Sequence, residues 1–234
     1  MNIVDFVIVF ILIFGALVGA KKGFTKQLVD TVGTIAIIVL AFLLKGFVSS
    51  ILYKFFPFFS FSGKLAGLTS LNLLLYEVVA FLFLFLVFSS ILRALKMTTS
   101  IFEKVLNMTI ILGIPSKILG AIVGVIQNFI FLFVALYFLS LPILRLDYIK
   151  ESKLSNKLLN STPVLSNICG DTLSVIKEFD DLVEEYKNDE DRKVLNQKTL
   201  ELLIDKKIVD LDTANKLIAE GKLKNVNIVE RKEA

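Results

Sequence analysis

The sequence predicts an all-α, polytopic membrane protein with about four transmembrane helices and a small, soluble helical domain in its C-terminal third. Of the 234 residues, 55% are hydrophobic, and the mean hydropathy is +0.75. Soluble domains are nearer about 45–50% apolar. The charge is also uneven, with 10 Lys/Arg against 4 Asp/Glu in residues 1–144 and 16 against 18 in residues 145–234. The chain therefore divides into a transmembrane domain, residues 1–145, and a charged extramembrane domain, residues 146–234.

Four long apolar runs predict the membrane spans. An 18-residue helix is about 27 Å long, close to the ~30 Å thickness of the hydrocarbon core. The first run is interpreted as a retained span, because no basic segment precedes it and Ala20-Lys21-Lys22-Gly23 is a poor signal-peptidase site. Residues 113–117 predict a turn that opens the fourth helix, and Pro142 marks its end. The predicted spans are residues 3–20, 28–48, 71–92 and 118–144.

The stretch between the second and third spans is too interrupted to be a span itself. Residues 51–70 contain five Phe residues between Phe55 and Phe61, broken by Pro57, Ser60, Ser62 and Gly63. Aromatic residues in such a segment favour an interfacial or a re-entrant position in the bilayer.

The C-terminal domain shows amphipathic helical spacing in three places. Residues 171–187 predict a helix with Asp171 as its N-cap, and residues 195–204 predict a second. Asp212 is a candidate cap for a last short helix ending at Gly221. The acidic run 180–190 is interpreted as a solvated face, with divalent-cation binding as the alternative.

The distribution of basic residues predicts an orientation. Short cytoplasmic loops are enriched in Lys and Arg. The first connection holds Lys21, Lys22 and Lys26, and the third holds Arg93, Lys96, Lys104 and Lys117. The three lysines of the second connection are spread over about thirty residues. We therefore expect the N-terminus and the C-terminal domain to be extracytoplasmic.

Composition excludes several kinds of chemistry. The chain has no His, so it has neither a Ser-His-Asp system nor a His-containing zinc site. Its one Cys, Cys169, has no intrachain disulfide partner and is interpreted as a small apolar residue. Nucleotide and metal-loop motifs are also absent from the sequence. We expect a non-enzymatic protein with no catalytic, cofactor or metal residues, and no binding of nucleic acid.

Glycines recur every fourth residue in the first and fourth spans. Gly15, Gly19 and Gly23 share one helix face, and Gly120 and Gly124 repeat the pattern. Small residues at this spacing let two membrane helices approach closely. The default interpretation is helix packing, and a helix contact with a functional role is the alternative.

Polar residues inside the spans are the remaining candidates. Asp5 and Asp30 are near span ends, where we expect hydration and interfacial anchoring. Glu77 lies about 9 Å inside its span, where a carboxylate is costly unless it is paired or protonated. Gln127 and Asn128 are expected to form interhelical hydrogen bonds.

These residues resemble a known family. The opening Asn2–Phe6 with its Asp, followed by an apolar helix with the glycine spacing of Gly15–Phe24, is similar to the CvpA family, the colicin V production proteins. The segment Leu106–Gly124 looks like the family's last membrane helix and the loop before it. One departure is Lys21-Lys22, where the family frequently has arginine. The resemblance covers about residues 1–145.

The resemblance implies a role in toxin (bacteriocin) production or export, or in cell-envelope maintenance, in the bacterial inner (cytoplasmic) membrane. The partners would be the lipid bilayer, other membrane or envelope proteins and, as a further option, a second copy of the chain. Some relatives carry an extracytoplasmic protease domain, but a serine triad is impossible here without His. The alternative function is a small transporter or channel subunit that uses Glu77.

Overall fold

The computed structural model describes residues 2–98, 113–144, 147–160, 172–186 and 191–229. In these ranges the regular structure is entirely helical, which confirms the predicted fold class. Four helices are long and apolar enough to cross a membrane: α1 (Ile3–Lys22), α2 (Phe24–Phe55), α3 (Leu71–Thr98) and α4 (Gly113–Leu139). The protein is therefore a multi-pass membrane protein.

The helix bounds differ from the predicted ones at α2, at both ends of α4, which begins at Gly113 instead of residue 118, and at the end of α3, which reaches Thr98 instead of residue 92. Helix α2 has 32 residues, about 48 Å, so it is longer than the ~30 Å hydrocarbon core. The prediction was too short because it followed hydropathy, whereas polar residues at both ends continue the helical hydrogen bonds. Helix α4 ends at Leu139 rather than at residue 144. Pro142 has no N–H to donate, and residues 141–144 form turns instead.

The chain packs as two compact units. Unit 1 comprises Met1–Ala41, Phe83–Leu139 and Leu146–Leu165, and unit 2 comprises Phe42–Leu82, Ser140–Arg145 and Ser166–Ala234. These units are defined by packing, whereas the predicted boundary at residue 145 was defined by hydropathy. Helices α2 and α3 each contribute one part to each unit.

In unit 1, helices α1 and α4 pack against each other along most of α1. Two short helices follow the fourth span, α5 (Asp147–Lys150) and α6 (Lys153–Asn160). Large apolar side chains on α1 point away from the protein, among them Phe6, Phe10, Phe14 and Leu17. A water-soluble bundle would bury such a surface, so lipid is the environment that this face requires.

In unit 2, three C-terminal helices share one hydrophobic core with the segment that follows α2. They are α7 (Thr172–Glu185), α8 (Arg192–Asp205) and α9 (Leu211–Ala219). The core contains side chains from both parts of the sequence, among them Tyr53, Leu68, Leu71, Leu74, Phe179, Leu195, Leu200 and Leu217. The C-terminal helices therefore pack against residues of the predicted transmembrane domain as well as against one another.

The Phe-rich stretch 51–70 contains no helix of membrane-spanning length. Its first five residues end α2, and a short 3-10 turn occupies Gly63–Leu65. Phe58 and Phe61 pack against the core of unit 2, whereas Phe56 and Phe59 are exposed. The choice between an interfacial and a re-entrant position stays a prediction.

The caps of the C-terminal helices correct one prediction. Asp210, not Asp212, is the N-cap of α9, and its Oδ1 accepts a hydrogen bond from the Thr213 N–H at 2.8 Å. Asp212 lies in the first turn, because the helix begins at Leu211, two residues earlier than a cap at position 212 would require. Gly221 follows the helix end with a φ of +71°. Cys169, the predicted cap Asp171 and residues 187–190 of the acidic run lie outside the described residues.

Candidate functional site

The five predicted glycines meet in one contact between α1 and α4, which we call the glycine seam. A Cβ atom on Gly15 would lie 2.7 Å from the carbonyl oxygen of Gly124, and one on Gly19 would lie 2.9 Å from the Gly124 Cα. A Cβ on Gly120 would lie 3.0 Å from the Gly23 Cα. The order of the contacts makes the two helices antiparallel. Because the backbones touch, any side chain in the seam would push the helices apart.

Gly23 also forms the whole turn between α1 and α2. Its φ of +78° lies in the region that favours glycine, and its N–H donates to the Gly19 carbonyl at 2.9 Å. The next N–H, of Phe24, donates to the Ser116 Oγ of α4 at 3.0 Å. The predicted basic loop is therefore a one-residue break between two helices, fixed to a third.

A group of polar side chains, the polar cluster, joins α2 to α4. The Gln127 Oε1 accepts hydrogen bonds from Gln27 Nε2 at 2.5 Å and Thr31 Oγ1 at 3.1 Å, and the Gln127 Nε2 donates to Thr34 Oγ1 at 3.2 Å. Sequence reasoning singled out only Gln127. The sequence did contain a pattern that indicates the α2 residues, because the polar residues at positions 27, 31 and 34 share one helix face.

Asn128 sits where the glycine seam leaves room for it. A Cβ on Gly15 would lie 2.8 Å from the Asn128 Cγ. The absence of a side chain at Gly15 thus accommodates a polar amide on the neighbouring helix. This placement brings two of the predicted candidate groups, the glycines and the polar residues of α4, into one contact.

Asp30 forms a three-residue ionic group, the lysine–aspartate cluster, with Lys22 and Lys96. The Lys22 Nζ lies 2.8 Å from Asp30 Oδ2, and the Lys96 Nζ lies 2.5 Å from Asp30 Oδ1. One carboxylate therefore connects α1, α2 and α3. The sequence placed Asp30 near a span end but gave no indication of its partner on α3.

Asp5 is buried rather than hydrated at the interface, which corrects the expectation for this residue. Only 3% of it is exposed. Its carboxylate accepts hydrogen bonds from the Asn2 N–H at 2.9 Å, the Ser152 Oγ at 2.6 Å and the Leu154 N–H at 3.1 Å. Leu154 is in the first turn of α6, so a carboxylate at the start of α1 stabilises the N-terminus of a helix beyond the fourth span.

Glu77 is paired with a basic residue, one of the two states that the sequence left open. Its Oε2 lies 2.7 Å from the Lys45 Nζ, and its Oε1 accepts a hydrogen bond from Ser49 Oγ at 2.8 Å. The Lys45 Nζ also lies 5.4 Å from the centre of the Phe42 ring. This buried pair belongs to unit 2, whereas Gln127 and Asn128 belong to unit 1.

A buried asparagine holds the C-terminal helices of unit 2 in place. The Asn196 Oδ1 accepts a hydrogen bond from the Ser70 N–H, and the Ser70 Oγ donates to the Asn196 carbonyl, both at 3.0 Å. The Asn196 Nδ2 also donates to the Lys224 carbonyl at 2.8 Å. Sequence reasoning missed Asn196, because a single Asn in an amphipathic helix has no pattern that distinguishes it from a solvated one.

Among groups outside the spans, the Asp210 cap has a shifted pKa. Burial would raise the pKa of its carboxyl, but the hydrogen bonds from Thr213, together with those from the backbone of Asp210 and Asp212, outweigh burial and hold the pKa below its ordinary value. The described ranges contain no cluster of three His, Cys, Asp or Glu residues suited to a metal ion. The absence of a metal or cofactor stays a prediction.

Comparison with known proteins assigns the membrane region. The family profile described as colicin V production protein matches residues 4–163, more than half of the chain. The chain belongs to the colicin V production protein family. The matched range contains the glycine seam, the polar cluster and the three acidic residues of the spans, Asp5, Asp30 and Glu77, so these features lie in the family region. The helices α7–α9 lie beyond it.

A relative of this family member is the uncharacterized transmembrane protein YshB of Bacillus subtilis (strain 168). The two sequences are 31% identical over 175 residues, which cover 70% of this chain and 93% of the relative. No solved structure matches the chain. The comparisons agree with the resemblance stated from the N-terminal motif and extend the match past the fourth span.

Proposed function

We propose that this colicin V production family protein is a non-enzymatic component of the bacterial cytoplasmic membrane that supports toxin production or export, or envelope maintenance, through protein partners. The observation that carries the proposal is that every acidic side chain in the described parts of the four spans has a partner within the chain. These are Asp5, Asp30 and Glu77. Fixed, paired acids stabilise helix positions, as a scaffold requires.

The transporter alternative requires an acid that exchanges a proton or an ion during a cycle. Glu77 is the deepest acid, but a lysine and a serine hydroxyl occupy both of its oxygens. Removing either partner of a buried ion pair is costly, so this pair favours one stable state. The geometry of Glu77 therefore supports a structural role over a transport role.

The C-terminal helices of unit 2 are the best candidates for partner binding. Val194 of α8 is an exposed apolar side chain, and Ile228, in the non-helical segment that follows α9, is another. These helices lie beyond the residues that the family profile matches, so they are the part in which this member differs from the shared membrane region. The distribution of Lys and Arg supports an extracytoplasmic position for them.

Site-specific photo-crosslinking of the full chain in native membranes tests the proposal. A crosslinker at Val194 or Ile228 should capture a discrete export or envelope protein, whereas one at the exposed Phe10 of α1 should react with lipid. Both kinds of position are exposed, so the comparison is matched for access. Crosslinking of no protein at either C-terminal position would count against a partner-dependent role.

Flux measurement in proteoliposomes addresses the alternative. A defined ion or substrate flux in wild type that is lost in Glu77→Gln, while the variant keeps its fold by circular dichroism, would favour the transporter. We expect no flux above that of empty liposomes in either protein.

A further inference from the structure

One end of unit 1, which we call the basic end, combines the C-terminus of α1, the N-terminus of α2, the C-terminal turns of α3 and the N-terminus of α4. Among the described residues, this end has six basic side chains and one acidic side chain, Asp30. The basic residues are Lys21, Lys22, Lys26, Arg93, Lys96 and Lys117. Such an excess generates a strong local positive potential.

Contacts described above bring these charges together. Lys22 and Lys96 meet at the Asp30 carboxylate, at 2.8 and 2.5 Å. Arg93 precedes Lys96 by one helical turn and so shares its face. Lys117 follows Ser116, whose Oγ accepts the Phe24 N–H at the α1–α2 turn. The four helix ends therefore form one charged surface rather than separate loops.

Asp30 orients the two central lysines, and its single carboxylate contacts both of them. The Lys22 and Lys96 side chains remain 34% and 24% exposed. The Lys22 ammonium has three N–H donors and uses one for Asp30, so it retains donors for a second anion. Because Asp30 already positions the lysines, their side chains would lose less conformational entropy when a ligand binds.

The surface next to these charges is apolar and exposed. Leu95, Met97 and Ile114 are each more than half exposed, and Leu28 is partly exposed. A ligand that fits both parts must have an anionic group above the hydrocarbon layer and apolar chains within it. A free anion would use the charges but leave the apolar side chains without a partner.

We propose that the basic end is a binding site for the phosphate headgroup of an anionic phospholipid, with Lys22 and Lys96 as its central cations. Arg93 and Lys117 contribute long-range attraction at the rim. The lipid's acyl chains cover the exposed apolar side chains of α3 and α4. The site is independent of any protein partner and of which side of the membrane the basic end faces.

Native mass spectrometry of the full chain in detergent tests the site. We would titrate dioleoyl-phosphatidylglycerol, and dioleoyl-phosphatidylcholine as the zwitterionic control, and add inorganic phosphate as a competing free anion. Phosphatidylglycerol should bind in preference to phosphatidylcholine, and millimolar inorganic phosphate should not displace it. Equal binding of the two lipids, or displacement by phosphate, would overturn the proposal.

Two exposed cations of the basic end provide the decisive variant. Arg93 and Lys117 form no ion pair with another described residue, so Arg93→Gln/Lys117→Gln should keep the fold. At about fivefold for each cation near a membrane surface, the double change should weaken phosphatidylglycerol binding roughly 25-fold. The matched control is Lys193→Gln/Lys224→Gln in unit 2, which also removes two exposed positive charges. Equal losses in the two double variants would show a non-specific charge effect and refute the site.

The central lysines are tested by Lys22→Gln/Lys96→Gln, with circular dichroism and gel filtration as checks of the fold. A folded variant should lose the preference for phosphatidylglycerol more completely than the rim variant. If it folds and keeps the wild-type preference, the lysine–aspartate cluster is not the centre of the site. If it does not fold, the rim variant and its control decide the question.

Discussion

The Lys96 Nζ lies 2.5 Å from the Asp30 Oδ1, although 66 positions separate the two residues in the chain. The same carboxylate holds Lys22 on α1, so three membrane helices meet at one acidic side chain. Asp30 is mostly buried, and the two lysines are partly exposed. The arrangement therefore combines a structural contact between helices with a local excess of positive charge.

Replacing Asp30 should destabilise the protein, because two lysines would then face each other without a counter-charge. We expect Asp30→Asn to lower the free energy of unfolding by roughly 2–3 kcal/mol, below the cost of breaking a fully buried pair. Thermal unfolding in detergent measures the change. The exposed Asp181 of α7 provides the control, since Asp181→Asn should change stability by less than about 0.5 kcal/mol. Similar effects at both positions would contradict the role of Asp30.

The glycine seam predicts that the same substitution destabilises the protein at a glycine inside the seam and does not do so at a glycine outside it. Gly19→Ala should destabilise the α1–α4 contact by about 1–3 kcal/mol, because its Cβ would press on the α4 backbone. Gly46→Ala is the matched control within a span, since the nearest atom to its Cβ, the Glu77 Oε1, is 3.8 Å away. It should be neutral or stabilising by up to about 1 kcal/mol. Unfolding by a denaturing detergent would compare them, and equal effects would rule out a tight seam.

The buried pair of Lys45 and Glu77 should show strong coupling in a double-mutant cycle. Lys45→Met or Glu77→Gln alone should cost about 3–5 kcal/mol, because each leaves a partner unsatisfied. The double variant should cost clearly less than the sum of the two. Lys198 and Glu201, an exposed pair at 3.0 Å on α8, provide the reference cycle and should couple by less than about 1 kcal/mol. Additive effects at positions 45 and 77 would be inconsistent with the pair.

The Asp210 cap predicts a pH-dependent contribution to stability. Its pKa is lowered from 3.8 in the folded state, so the folded protein favours the ionised form. The contribution is fully present above the unfolded-state pKa and is lost as the pH falls through the lower, folded-state value. Asp210→Ala should therefore cost about 1 kcal/mol at pH 7 and progressively less below about pH 4. The exposed Asp212→Ala is the control, and a constant difference across this pH range would contradict the prediction.

Hydropathy and spacing predicted the features that repeat along the sequence. The four spans are long apolar runs, and the glycines share a face because residues four apart always do in a helix. Glu77 could be singled out because a carboxyl group inside an apolar run is low in free energy only when it is paired with a basic group or protonated.

Contacts between distant segments could not be predicted in this way. Asp5 was expected to be hydrated, but it is buried by Ser152 and Leu154, about 150 positions away. Likewise, Asn196 finds its partners at Ser70. Such pairs depend on tertiary packing, and single polar residues carry no periodic signal that reveals their partners.

The hydrogen bonds between Ser70 and Asn196 join positions that are 126 residues apart, and this separation constrains how the protein is made. Translation proceeds at about 5–20 residues per second. The ribosome therefore synthesises Leu68, Leu71 and Leu74 several seconds or more before α8, which covers them in the folded protein. During that interval the nascent chain presents an unfinished apolar surface beside the second and third spans. Stalled translation before residue 196 would leave this surface open to aggregation or proteolysis.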